Sequence, residues 1–83
     1  MKISFTREGW EDYISWVSEQ SILKRINRMI EEAARDPATG IGKPERLSPN
    51  LSGYWSRRIT DEHRLVSQLR DEELIIVQAR YHY

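Results

Sequence analysis

The sequence predicts an α+β domain: an N-terminal strand, a two-helix hairpin, then an antiparallel β-meander, with the helices on one face of the sheet. Three observations carry this expectation. Apolar residues recur at helical spacing between residues 10 and 33, and from residue 54 onward the period changes to two. The connections within each half are short enough to demand antiparallel neighbours.

Lys2-Ile3-Ser4-Phe5 alternates polar and apolar and reads as one strand with Ile3 and Phe5 inward. Thr6 is the expected N-cap of the first helix, with Glu8 in its positively polarised first turn. Trp10, Tyr13, Ile14 and Val17 fall at i, i+3, i+4 and i+7, which predicts a core-facing stripe. Residues 18–21 break the pattern, and a second stripe follows at Ile22, Ile26, Met29, Ile30 and Ala33, with Lys24, Arg25, Arg28, Glu31, Glu32 and Arg35 elsewhere on the helix. Asp36-Pro37 ends that helix, because a residue before proline is pushed out of the helical region. The loop over 37–44 contains a Gly42-Lys43 pair but lacks the glycine spacing and the following Ser/Thr of a phosphate-binding loop. Glu45-Arg46-Leu47 fits a short strand, and Pro49-Asn50 and Ser52-Gly53 mark turns on either side of Leu51.

Residues 54–60, 64–69 and 73–81 read as three strands separated by acidic turns at Asp61-Glu62 and at Arg70-Asp71-Glu72. Turns with an odd number of residues, three being favoured, set Thr60 opposite Arg64 and Leu69 opposite Glu73. Trp55, Ile59, Leu65, Leu69, Ile75, Val77 and Ala79 then share the core face. Tyr54, Arg58, Arg64, Val66, Ile76, Gln78, Arg80 and His82 share the other, a basic and partly aromatic surface. Two-residue turns would mix Arg64 with Ile59 and Ala79 on one face.

Eighty-three residues suit one domain, burying roughly two-thirds of the unfolded surface. Thirteen Lys and Arg balance thirteen Asp and Glu, so any polyanion site must be a local one. The absence of cysteine excludes a disulfide framework and thiolate metal sites, and two histidines without helical His/Glu or His/Asp spacing argue against a zinc or di-iron centre. No apolar run has the length of a signal peptide or membrane span, which predicts a soluble, cytoplasmic protein with no membrane partner.

The apolar run Leu74-Ile75-Ile76-Val77 delivers His82 to the last-but-one position, where with Tyr83 it meets Glu45, Arg58 and Arg64 in one predicted cleft. Two readings of these residues stand. In one, Glu45 is a solvated acid, Arg57-Arg58 a strand surface answering Asp61 and Glu62, and His82 a strand-end ornament. In the other they are the parts of metal-free RNA cleavage. A carboxylate takes the proton from a ribose 2′-hydroxyl, arginines meet the charge building on the phosphate, and an imidazole protonates the leaving oxygen.

The segments Gly42-Lys43-Pro44-Glu45, Asn50-Leu51-Ser52-Gly53-Tyr54-Trp55-Ser56-Arg57-Arg58-Ile59, Glu62-His63-Arg64-Leu65-Val66 and Arg80-Tyr81-His82-Tyr83 resemble the YoeB/Txe family of bacterial toxins, in the RelE superfamily. The resemblance covers the whole chain, including Trp10-Glu11-Asp12-Tyr13 in the first helix. It implies a single RelE-like domain over 1–83 acting as a ribosome-dependent mRNA endonuclease without metal or cofactor. Glu45, Arg64 and His82 fall on the family's catalytic positions, Arg58 and Tyr83 on substrate-binding ones, and Arg57 and Lys43 are expected to join them. The implied partners are a cognate antitoxin, the ribosomal A site and mRNA, with a homodimer as a permitted assembly. Arg46 and Ser67-Gln68 depart from the family pattern beside the site, which touches substrate detail more than chemistry. The competing function is a non-catalytic module of the same fold that docks an antitoxin and regulates its own operon.

Overall fold

A computed structural model describes residues 1–48 and 52–81. The elements are β1 (Lys2–Phe5), α1 (Arg7–Ile14), α2 (Gln20–Arg35), β2 (Glu45–Arg46), β3 (Tyr54–Arg58), β4 (Arg64–Arg70) and β5 (Glu73–Gln78). The strands form one five-stranded sheet in the order β1-β5-β4-β3-β2. β2 to β5 are antiparallel neighbours as expected, whereas β1 runs parallel to β5. Short turns dictate direction only between strands adjacent in sequence, and β1 has both helices between it and the meander.

α2 follows its sequence pattern. Ile26, Met29, Ile30 and Ala33 are buried against Ile59, Leu65, Leu74, Ile76 and Ala79 of the sheet side, with Ile22 partly buried. The helix ends at Arg35, and Asp36 adopts extended backbone before Pro37.

α1 has the expected cap, Thr6 Oγ1 accepting from Gly9 N at 3.0 Å, but not the expected face. Trp10, Ile14 and Val17 are exposed at 48%, 44% and 62%. The inward face is the neighbouring row at the same i, i+3, i+4, i+7 spacing: Gly9, Asp12, Tyr13 and Trp16. Gly9 lies so close to β5 that a β-carbon would collide with the Ile76 carbonyl oxygen, Asp12 accepts from Ala79 N at 3.0 Å, and Trp16 is buried in the core. Close approach and a backbone hydrogen bond thus rotate the helix by one residue from its most apolar face. Ile3 likewise remains 42% exposed while Phe5 packs inward.

The meander keeps its expected faces along β3 and β4. Arg58 pairs with Arg64 rather than Thr60 with Arg64, a shift of an even number of residues that leaves every side chain on the same face. The second hairpin departs. Arg70 pairs with Glu73 across a two-residue turn, Asp71 and Glu72, both left-handed (φ 51° and 60°), the backbone of a type I′ turn. An even turn inverts the first part of β5, so Leu74 and Ile76 enter the core in place of Ile75 and Val77. A bulge opposite Val66 and Ser67, with Val77 the extra residue, restores the parity and returns Ala79 to the core.

Candidate active site

Residues paired across neighbouring strands share a face. Glu45 pairs with Ser56, Ser56 with Val66, and Arg58 with Arg64, so Glu45, Arg58 and Arg64 lie on one face. Arg57 and Leu65 occupy the other, toward α2. Ser56 and Val66 are buried between the charged residues, while Glu45 is exposed and both arginines are half-buried.

The end of β3 is held from below. Arg25 of α2 donates from Nε to the Ile59 carbonyl at 2.9 Å and from Nη2 to the Arg58 carbonyl at 2.8 Å, and Arg58 N donates to the Gly42 carbonyl at 2.6 Å. With its backbone fixed, Arg58 faces Arg64 directly, and its Nε is buried without a hydrogen-bond partner among the described residues. Two guanidinium groups directly across a strand pair repel one another. An anion with several acceptor oxygens would offset that repulsion.

Arg57 corrects a sequence expectation, since it does not face a substrate. Its side chain is 2% exposed and its guanidinium is filled by loop carbonyls. Nη1 donates to Ile41 O at 3.1 Å, and Nη2 to Asp36 O, Pro37 O and Thr39 O at 3.2, 3.3 and 2.6 Å. Glu32 Oε1 lies 3.8 Å away and accepts from Ile41 N at 2.7 Å. That backbone hydrogen bond, aided by Arg28 and Arg57, holds the Glu32 carboxyl below its ordinary pKa despite opposing desolvation. Burial pulls the Arg57 pKa down, and Glu32 and Asp36 oppose it. Arg57 is therefore a staple for the loop over 36–41, which leads to Lys43 and Glu45. Adjacent arginines on a strand must point to opposite faces, and the parity that sets Arg58 beside Arg64 turns Arg57 to the core face with Trp55 and Ile59.

Lys43 is exposed in that loop with left-handed backbone (φ 49°). Arg80, expected on the basic face, instead lies with its guanidinium carbon 3.8 Å from the centre of the Trp16 ring and donates from Nε to Ser15 Oγ at 2.6 Å. His82 and Tyr83 lie outside the described residues.

The backbone that leads to them is closely held. Trp16 Nε1 donates to Ala79 O at 2.8 Å, Gln78 Nε2 to Arg80 O and Tyr81 O at 2.7 and 2.9 Å, and Arg64 N to Tyr81 O at 3.3 Å. His63, 9% exposed, accepts from Tyr81 N through Nδ1 at 2.9 Å. Sequence reasoning missed Asp12, Trp16 and His63 as supports of this segment. The available signal was Trp16, a large aromatic left off the apolar stripe. Among the described residues, no group of three or more His, Asp or Glu is arranged to hold a metal ion.

The model of the YoeB-like toxin of bacterial type II toxin-antitoxin systems matches residues 5–83. Toxin YoeB of Streptomyces coelicolor is 61% identical, with both chains covered completely. Two solved structures from Staphylococcus aureus cover all of this chain and 98% of their own at 40% identity: a heterotetrameric YoeB-YefM toxin-antitoxin complex, with a TM-score of 0.86, and a YoeB dimer, with a TM-score of 0.89.

Proposed function

Since this chain belongs to the YoeB-like toxin family of type II toxin-antitoxin systems, we propose that it is a metal-independent endonuclease that cuts mRNA on the ribosome and is neutralised by a cognate antitoxin. The observation that carries this reading is the Arg58–Arg64 pair, two cations facing each other on the sheet surface that also presents Glu45. An anion-binding face with a carboxylate beside it suits phosphoryl transfer better than protein docking alone, which needs no acid and base in one cleft.

In this reading Glu45 takes the proton from the ribose 2′-hydroxyl, and the 2′-oxygen attacks the adjacent phosphorus. Arg64 and Arg58 meet the charge that gathers on the non-bridging oxygens. The bond from phosphorus to the 5′-oxygen breaks, and His82 gives that oxygen its proton. The products are a 2′,3′-cyclic phosphate and a 5′-hydroxyl, and Tyr83 helps hold the nucleotide. Balanced net charge gives little general attraction for RNA, so the ribosomal A site supplies orientation that the toxin's own field does not.

The partner reading rests on the Staphylococcus aureus YoeB-YefM complex, and a homodimer on the YoeB dimer of the same organism. The decisive experiment is a cleavage assay on translating ribosomes with and without EDTA, at magnesium levels adjusted to keep the ribosomes intact. Cleavage that persists with cyclic-phosphate ends supports the mechanism. A wild-type protein that binds its antitoxin but never cuts mRNA makes the docking module the better account.

A further inference from the structure

We propose that His63 is a positioning residue for the cleavage reaction: through Nδ1 it anchors the amide of Tyr81, the residue that precedes His82 in sequence, against the start of the strand that carries Arg64. The inference rests on the cleavage reading above. The backbone at Tyr81 is strained and held on both sides. Tyr81 has φ 59°, left-handed backbone that a non-glycine residue keeps only where its surroundings impose it.

The two backbone groups of Tyr81 are gripped by neighbouring residues of the same strand entry. Its N–H donates to His63 Nδ1 at 2.9 Å, and its carbonyl accepts from Arg64 N at 3.3 Å. The segment that precedes His82 is thereby tied to the strand that carries the proposed phosphate-binding arginine. The imidazole is itself wedged in place, edge-on to Trp16 at 4.9 Å and tilted against the Tyr81 ring at 5.0 Å. Trp16 is fixed in turn by its hydrogen bond to Ala79 O and by the Arg80 guanidinium on its ring. Since Nδ1 accepts, the neutral ring carries its proton on Nε2, and the property that matters is an acceptor at the Nδ1 position. Misplacement of a general acid by about 1 Å is enough for a large loss of rate.

Two substitutions separate the acceptor from the packing. His63→Phe keeps an aromatic ring against Trp16 and removes the acceptor, whereas His63→Asn places a carbonyl oxygen near the Nδ1 position and gives up the ring. Single-turnover cleavage on ribosomes is measured beside hydrogen exchange at the Tyr81 amide of the ¹⁵N-labelled protein. In His63→Phe the Tyr81 amide should lose protection, and the maximal rate should fall about tenfold or more with the half-saturating ribosome concentration unchanged. His63→Asn should keep the amide protected and the rate within about threefold of wild type. A folded His63→Phe with a freely exchanging Tyr81 amide and an unchanged rate overturns the proposal. Should His63→Phe fail to fold, His63→Asn decides alone: a protected amide with cleavage lost overturns it, and a protected amide with cleavage kept supports it. A wild type that does not cleave defeats the cleavage reading instead, and the exchange comparison still decides the anchor.

Discussion

Arg58 and Arg64 stand directly opposite one another across β3 and β4, on the sheet face that carries Glu45. Like charges in that relation destabilise a sheet by a few tenths to about 1 kcal/mol unless an anion lies between them. Arg64→Gln should therefore leave thermal stability unchanged or raise it by up to about 1 kcal/mol, while cleavage falls by roughly a hundredfold. Inorganic phosphate should stabilise the wild type more than the variant. Thermal unfolding with and without phosphate, beside a ribosome cleavage assay, checks both. Equal phosphate stabilisation of the two proteins would remove the pair from the site.

Arg57 and Arg58 are neighbours in sequence with opposite duties, and their substitutions should differ in kind. Arg57→Leu strands the carbonyls of Asp36, Pro37, Thr39 and Ile41 and leaves Glu32 without its buried cation. It should lose on the order of 3 kcal/mol in urea unfolding. Arg58→Leu should change stability by less than about 1 kcal/mol while weakening cleavage. Comparable stability losses in both would contradict the division.

Glu45 is exposed on a two-residue edge strand, away from the core. Glu45→Ala should keep the melting temperature and antitoxin binding of the wild type, with cleavage down about a hundredfold. In-cell toxicity, thermal unfolding and antitoxin titration of one purified variant suffice. A folded Glu45→Ala protein that remains fully toxic would exclude it as the base.

Glu32 ties the stability of the Arg57 loop to acidity. Its carboxyl titrates below the ordinary value of 4.5 in the folded state, mainly because Ile41 N donates to it. The unfolded chain therefore takes up this proton first as pH falls. The contribution is complete above about 4.5 and disappears as pH drops through the lower folded value. Urea unfolding between pH 7 and pH 3 should show a shallower acid loss for Glu32→Gln than for wild type. Parallel curves would mean that the hydrogen bond to Ile41 has no stabilising part.

The turn at Asp71 and Glu72 uses left-handed backbone at both positions without glycine. Replacing the pair by Asn-Gly, the residues such a turn prefers, should stabilise the protein by about 1 kcal/mol with cleavage unaffected. Chemical denaturation reads this directly, and a destabilised variant would show that the acidic pair has contacts that outweigh its strain.

Much of the fold was legible in the sequence because it depends on local repetition. The α2 stripe from Ile26 to Ala33, the cap at Thr6, the stop at Asp36-Pro37 and the inward side of Leu65 all follow from periods and end signals that the chain carries within a few residues. The common face of Arg58 and Arg64 follows from strand parity and survives a register shift by an even number of residues, whereas the face of Glu45 came with the pairing of β2 to β3. The family resemblance rests on the same linear runs, and the comparisons agree with it over residues 5–83.

Other features were decided only when distant residues met. α1 turned to present Gly9, Asp12 and Trp16 because β5 offered a carbonyl to approach and Ala79, just after it, an amide to donate to Asp12, neither of which is written in the apolarity of the helix. The faces of β5 depended on a two-residue turn and a bulge whose offsets nearly cancel, and β1 lay parallel because no short loop tied it to a neighbour. The filling of the Arg57 guanidinium by loop carbonyls and the grip of His63 on Tyr81 were settled by which carbonyl or amide lay within hydrogen-bond reach. Periodicity reports which way a residue tends to face on its own element, whereas a buried polar group goes where a partner exists, and the partner is placed by the rest of the fold.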